Sequence, residues 1–299
     1  MTVRPMRFGL AGTGYWARVT HAPALASTPG IEFAAAWGRN AESAARIAAS
    51  YDVTAHSDFD AFLADVDGVA FSVPPDVQSV LAARAAEAGK HLLLEKPISA
   101  SGPAAEALAQ SVENAGVASV VFFTARFQPD VRSWLSDVAS EGGWDGGCAV
   151  WLGSALSASS PFNTPWRRQL GGLWDLGPHA VSLLWACLGP VRSVTADAGG
   201  SDVTCLVLHH EGGATSTVTV TLGATEAAEY FELYIWGAPG RRAAPPETTE
   251  PSAALQIALR ELAANARSGH TAHPCDVRFG RDIGLVLAQA QRQLDVSSR

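Results

Sequence analysis

Met6-Arg7-Phe8-Gly9-Leu10-Ala11-Gly12-Thr13-Gly14-Tyr15-Trp16-Ala17 is the stretch whose reading decides the fold. An apolar strand pattern over Arg7 to Ala11 runs into Gly12-x-Gly14-x-x-Ala17 and then into a helical pattern. Gly12 permits a tight turn, Gly14 lets the backbone approach a pyrophosphate, and Ala17 allows close helix packing. The helix start supplies N–H groups and a favourable dipole. An ordinary glycine-rich turn is the competing reading of this motif taken alone.

Outward from that point, short apolar runs alternate with Ala-rich stretches as far as Phe123. Strands are expected at Arg7 to Ala11, Glu32 to Trp37, Gly68 to Val73, His91 to Leu94 and Val117 to Phe123, with helices at Ala41 to Ser50, Val77 to Ala88 and Pro103 to Asn114. This is the pattern of a Rossmann-type α/β domain, a doubly wound parallel sheet. Thereafter Thr- and Val-rich runs at Val191 to Ala198, Val203 to His210, Ala214 to Leu222 and Tyr230 to Trp236 predict a C-terminal α+β domain on an open, mostly antiparallel sheet. The expected division is 1–123 and 124–299. Ser154 to Pro165 and Gly237 to Ser252 read as surface loops, and helices are expected at Ala180 to Leu188, Ala253 to Arg267 and Val277 to Leu294.

The chain has 299 residues, 47% apolar and 17% charged, with a formal net charge of −8. That composition suits a compact soluble protein and argues against a nucleic-acid partner, which needs clustered Lys and Arg. No apolar run approaches the roughly 18 residues a membrane span requires. Cys148, Cys187, Cys205 and Cys275 are widely spaced, so the expected compartment is the reducing cytoplasm. His209-His210 and His270-x-x-His273-x-Cys275 resemble fragments of a metal site, but no carboxylate cluster completes either, so no metal is expected.

Three further features carry chemistry. After the second strand the chain reads Trp37-Gly38-Arg39-Asn40, with no carboxylate to bind ribose hydroxyls and an Arg able to pair with a 2′-phosphate. NADP is therefore expected in preference to NAD. Glu95-Lys96-Pro97 closes the strand His91 to Leu94 on the edge where ligands bind, and Lys96-Pro97 is expected to be cis. Lys96 is read either as a proton-transfer group beside nicotinamide or as a surface ion-pair partner. Gly171-Gly172-Leu173-Trp174-Asp175-Leu176-Gly177-Pro178-His179 spaces Asp175 and His179 four apart at a helix start, read as an acid–base pair or as a cap and a structural His. Trp166, Arg167 and Trp174 are read either as pocket lining or as core. The candidate cofactor set is Gly12, Thr13, Gly14, Tyr15, Trp16, Arg39, Ser72, Pro74, Glu95 and Lys96.

In order, Gly9 through Trp16, Glu95-Lys96-Pro97, Arg126-Phe127-Gln128-Pro129 and Gly171-Gly172 through His179 resemble the glucose-fructose oxidoreductase/inositol dehydrogenase/rhizopine-catabolism family. The resemblance covers nearly the whole chain. It implies an NAD(P)-dependent dehydrogenase or reductase acting on CH–OH groups of a sugar, cyclitol or related polyol, with Lys96, Asp175 and His179 as catalytic trio. It leaves Lys96 and His179 both open as terminal acid/base, and it implies a possible homo-oligomer formed through the C-terminal sheet. Gln78 and Ser182 depart from the family pattern, which often has His and Asp there. A non-catalytic dinucleotide sensor is the alternative.

Overall fold

The computed structural model describes residues 4–200 and 202–297, which group by contact into two units. The first runs through Phe127 and takes in Thr249–Arg281; the second is Gln128–Thr248 with the chain from Asp282 onward.

The first unit holds six parallel strands, β1 Met6–Ala11, β2 Ile31–Trp37, β3 Thr54–His56, β4 Gly68–Phe71, β5 His91–Glu95 and β6 Ser119–Phe122. Their order is β3-β2-β1-β4-β5-β6, the doubly wound arrangement expected from the sequence. Phe8, Leu10, Val69, Phe71, Leu92, Leu94 and Val120 are fully buried, because helices cover both faces and leave no polar side to alternate. β3 was not expected: three residues are too few to show a periodicity, and pairing to Ala35–Trp37 is what makes them a strand.

Among the described residues, the α-helices wholly within this unit are α1 Ala22–Ser27, α2 Ala41–Tyr51, α3 Phe59–Ala64, α4 Pro75–Glu87, α5 Gly102–Ala115 and, far along the chain from a 3₁₀ turn at Thr124–Phe127, α9 Pro251–Ser268. Their ends follow from local chemistry. Asn40 caps α2 by accepting from the Ser43 N–H at 2.8 Å, and Ser101 caps α5, which stops at Gly116 with φ +63°. α9 buries Leu255, Leu259 and Leu262 completely and packs on α1, β5 and β6. The expected division at 123/124 therefore differs from the contact grouping, since the chain returns at 249–281 through an amphipathic helix whose target face a linear reading cannot show.

The second unit contains α6 Pro129–Glu141, β7 Trp144–Leu152, α7 Pro165–Asp175, α8 Gly177–Leu188, β8 Val191–Ala198, β9 Thr204–His210, β10 Thr215–Thr221, β11 Tyr230–Gly237 and β12 Gly240–Ala243. α10 Val277–Ser297 gives its first turn to the first unit and the rest to the second. The sheet order is β12-β11-β7-β10-β9-β8, antiparallel throughout except for β7 against β10. The expected loop Gly237 to Ser252 is corrected by β12, which pairs with β11 inside it. β7, the inner strand, was also missed. Gly146 and Gly147 weaken its strand signature, yet a Cβ on Gly146 would lie 2.3 Å from the Trp236 ring and one on Gly147 2.9 Å from Leu184. Both glycines make room for neighbours that cover the strand.

Candidate active site

The carboxyl ends of β1, β2 and β4 finish in register, with Ala11 opposite both Trp37 and Phe71. Strand order reverses between β1 and β4, which is where an open α/β sheet leaves a crevice for a ligand. Gly12 sits there with φ +134°, its N–H on the Trp37 carbonyl at 2.9 Å, and a Cβ on it would lie 2.1 Å from the Ser72 carbonyl oxygen. No other residue fits. A Cβ on Gly14, by contrast, would meet nothing within 4 Å. The protein itself does not need that glycine bare, whereas a pyrophosphate lying on the loop would, so the residues present fit a dinucleotide.

Thr13 packs on Gly38, whose added Cβ would lie 2.6 Å from Thr13 Cγ2. Arg39 beside it is exposed, and the Asn40 side chain is occupied by the α2 cap. Tyr15 is 39% exposed at the opening of the helix. Ser72, Pro74 and Lys96 are half-buried on the same sheet edge, where Ser72 N–H donates to the Ala11 carbonyl.

The helix after the glycine loop contains a π-helical turn at Ala17–His21, where the Ala22 N–H reaches back to the Ala17 carbonyl. Pro23 explains it: proline has no N–H to continue the ladder and its ring crowds the carbonyl four residues back. The wider turn carries Trp16 and His21 toward β5. Trp16 Nε1 donates to Glu95 Oε1 at 2.7 Å, and His21 Nε2 lies 2.8 Å from the same oxygen. The second Glu95 oxygen accepts from the Lys96 N–H at 3.2 Å. Gln78, fully buried, closes the other side: its amide nitrogen donates to the Glu95 and Pro97 carbonyls, and its oxygen accepts from the Glu95 N–H at 2.8 Å. Lys96-Pro97 is cis, as the sequence leads one to expect. Glu95 and Gln78 together fix the backbone that carries Lys96. The role of Gln78 was not read from the sequence, and neither was that of His21, a buried imidazole with no local motif to mark it.

In the second unit α7 and α8 bring Asp175 and His179 to the interior, 5% and 7% exposed. Arg167 binds Asp175 through two guanidinium nitrogens, Nε to Oδ2 at 2.7 Å and Nη2 to Oδ1 at 3.4 Å, and lies over the Trp166 ring at 4.4 Å. The His179 ring is 5.3 Å from that of Trp151, and Ser182 is fully buried with its hydroxyl on the His179 carbonyl. Trp174 goes to the core, its Nε1 on Gln291. Asp202, not singled out in the sequence, accepts from the Gly172 and Leu222 N–H groups. Burial raises its pKa, those two N–H groups oppose the shift, and the Asp175 charge adds to it.

Two histidines from the motifs that resembled metal-site fragments have structural partners. His210 spans the Gly189 carbonyl and Ser216, and His273 meets Glu261 at 3.0 Å. Among the described residues no group of three or more His, Cys, Asp or Glu could hold a metal ion, and no helix is long and apolar enough to cross a membrane.

Residues 6–123 match a family model described as an oxidoreductase family with an NAD-binding Rossmann fold, and residues 148–241 match a GFO/IDH/MocA C-terminal domain. The chain is 30% identical over 200 residues to the uncharacterised oxidoreductase YdgJ of Escherichia coli strain K12, covering 64% of this chain and 56% of that protein. It is 28% identical over 273 residues to D-xylose 1-dehydrogenase (NADP(+)) 2 of Haloferax volcanii, covering 84% and 80%. Among solved structures, GenD2 from gentamicin A biosynthesis in complex with NAD has a TM-score of 0.84 at 19% identity, covering 100% of this chain and 96% of that one. At that identity the structural likeness speaks to the fold.

Proposed function

Because the chain belongs to the glucose-fructose oxidoreductase/inositol dehydrogenase/rhizopine-catabolism family of oxidoreductases, we propose that it transfers hydride between NADP and a secondary alcohol or carbonyl of a sugar, cyclitol or related polyol. The observation that carries this reading is the placing of Lys96. Glu95 and Gln78 fix its backbone on the same sheet edge as the open cradle at Gly14.

A bound nicotinamide supplies the hydride acceptor or donor. The protein's part is to bind, orient and move a proton. The loop amides at Gly12 to Trp16 take the pyrophosphate, with Ser72, Pro74 and Glu95 bordering the crevice. Arg39 takes a 2′-phosphate, supported by its exposure and by the absence of a carboxylate in Trp37 to Asn40. The relative from Haloferax volcanii named for NADP(+) and a pentose is in keeping with that choice. Lys96 Nζ polarises the reacting oxygen, His179 removes or returns its proton, and Asp175, held by Arg167, orients the group it faces. Lys96 and His179 can exchange the first two tasks.

The protein is also proposed to self-associate through the second sheet, where β11 turns Tyr230 and Trp236 outward, 51% and 41% exposed. Four free cysteines suit the reducing cytoplasm.

The test is a fluorescence titration with NADPH and NADH, followed by a polyol and carbonyl screen of the wild type, Lys96→Ala, His179→Ala and Arg39→Ala. Lys96→Ala and His179→Ala should bind NADPH and lose turnover by about 10²- to 10⁴-fold. Arg39→Ala should weaken NADPH and leave NADH unchanged. Binding without turnover on any substrate would favour a dinucleotide sensor; no binding of either nucleotide would end the reading altogether.

A further inference from the structure

α7 is interrupted. Gly171 adopts φ +66° and ψ −166°, which separates a helical segment carrying Arg167 from one carrying Asp175. In a straight helix eight residues climb about 12 Å, so these two side chains meet at 2.7 Å because the chain changes direction between them. A break of this kind leaves the first N–H groups of the following segment without helical partners.

Asp202 meets that need from the turn between β8 and β9. The Gly172 N–H lies 3.2 and 3.0 Å from its two carboxylate oxygens, and the Leu222 N–H donates to the second of them at 2.9 Å. Asp202 is itself held at φ +66°. The approach is so close that a Cβ on Gly171 would lie 2.1 Å from Asp202 Oδ1, while one on Gly172 would lie 2.9 Å from Thr221 Cα. The glycine pair is thus wedged between a remote carboxylate and the end of β10. Such a carboxylate is costly to bury, and burial accordingly raises its pKa.

We propose that Asp202 is a positioning residue for the substrate half of the active site, a cap supplied from a distant turn that holds the break at Gly171 and so presents Asp175 to Arg167 and sets the entry of α8 with His179. The assignment rests on the roles given above to Asp175 and His179. Asp202 is assigned no contact with substrate or cofactor. It acts through the Gly172 amide, and the glycine pair is there to admit it.

The experiment compares wild type, Asp202→Ala and Asp202→Asn in NADPH titration, steady-state kinetics and amide hydrogen exchange over residues 171–179. Asp202→Ala should bind NADPH like the wild type, exchange faster at 171–179, and lose about ten- to a hundredfold in kcat/KM, as displaced catalytic groups do. Its KM should rise as kcat falls. Asp202→Asn keeps an oxygen to accept from Gly172 and Leu222 and should recover most of that loss. Wild-type kinetics in Asp202→Ala, or no rescue by Asp202→Asn, would overturn the proposal. If Asp202→Ala does not fold, the Asn variant decides alone, by near-wild-type KM and exchange or by their loss. Should the wild type turn over no substrate, the proposed function fails, and unchanged exchange at 171–179 in Asp202→Ala would separately refute the cap.

Discussion

Each half of the molecule anchors a carboxylate, Glu95 beside the proposed catalytic Lys96 and Asp175 as a proposed catalytic group itself, and the two do so by different means. In the nucleotide-binding unit Glu95 accepts from ring nitrogens of Trp16 and His21, five residues apart on the helix that the glycine motif opens. In the second unit Asp175 is held by a guanidinium across a chain break, and the break is capped by a residue 30 positions away. The first arrangement is made from one contiguous motif and one strand end. The second is made from three segments that only tertiary structure brings together, and it buries an ion pair.

That difference sets the largest expected effect. Arg167→Ala strands a carboxylate that is 5% exposed without its guanidinium, which should lower unfolding free energy by about 3–5 kcal/mol. Glu95→Gln leaves an acceptor for Trp16 and His21 and should cost about 1 kcal/mol. Urea denaturation of both variants measures the contrast, and equal losses would show that the two anchors are energetically alike.

The glycine loop offers a contrast of its own, of intermediate size. Gly12→Ala combines a positive φ with a collision against the Ser72 carbonyl, so it should destabilise the fold by about 1–3 kcal/mol. Gly14→Ala adds a methyl to open space and should leave the melting temperature unchanged while weakening NADPH, tenfold for about every 1.4 kcal/mol of lost contact. Thermal melts and NADPH titrations of the pair separate a glycine kept for the protein from one kept for the ligand. A stability loss at Gly14 matching that at Gly12 would remove the distinction.

The same contrast explains what could be read from the chain alone. The Rossmann class followed from local signals, because buried parallel strands are continuous apolar runs and their helices carry caps and glycine stops. β7 and β12 did not, one diluted by Gly146-Gly147 and the other a four-residue strand defined only by pairing to β11. Of the residues proposed for catalysis, Lys96, Asp175 and His179 lie in ordered motifs, whereas their supports do not. Gln78 is a buried side chain clasping the backbone of β5, and Asp202 caps a break in another segment. In the sequence Gln78 stood out only as a departure from the family pattern and Asp202 not at all, since what marks the role of each is the partner it reaches.

Outside both sites, His210 sharpens the comparison of buried polar groups by the smallest effect. It is 1% exposed and sits between the Gly189 carbonyl, 2.7 Å from Nδ1, and the Ser216 hydroxyl, 2.8 Å from Nε2. The carbonyl can only accept, so Nδ1 carries the proton in the neutral ring and Nε2 accepts from Ser216. Burial lowers its pKa, the Gly189 carbonyl opposing and His209 adding slightly to the shift. A folded pKa below the unfolded one means that the stability is fully present above the unfolded value, near pH 6.5, and is lost as pH falls from there through the folded pKa. His91 is lowered by burial too, with Asp67 opposing, and acts in the same direction. Through these two histidines the melting temperature should fall between pH 7 and pH 5, against an opposing contribution from Asp202, whose carboxyl burial raises above its unfolded pKa. His210→Asn, which retains a donor for Gly189 and cannot be protonated in that range, should show a shallower fall from a lower starting point. An unchanged slope would place the acid sensitivity elsewhere, with His91 the next group to replace.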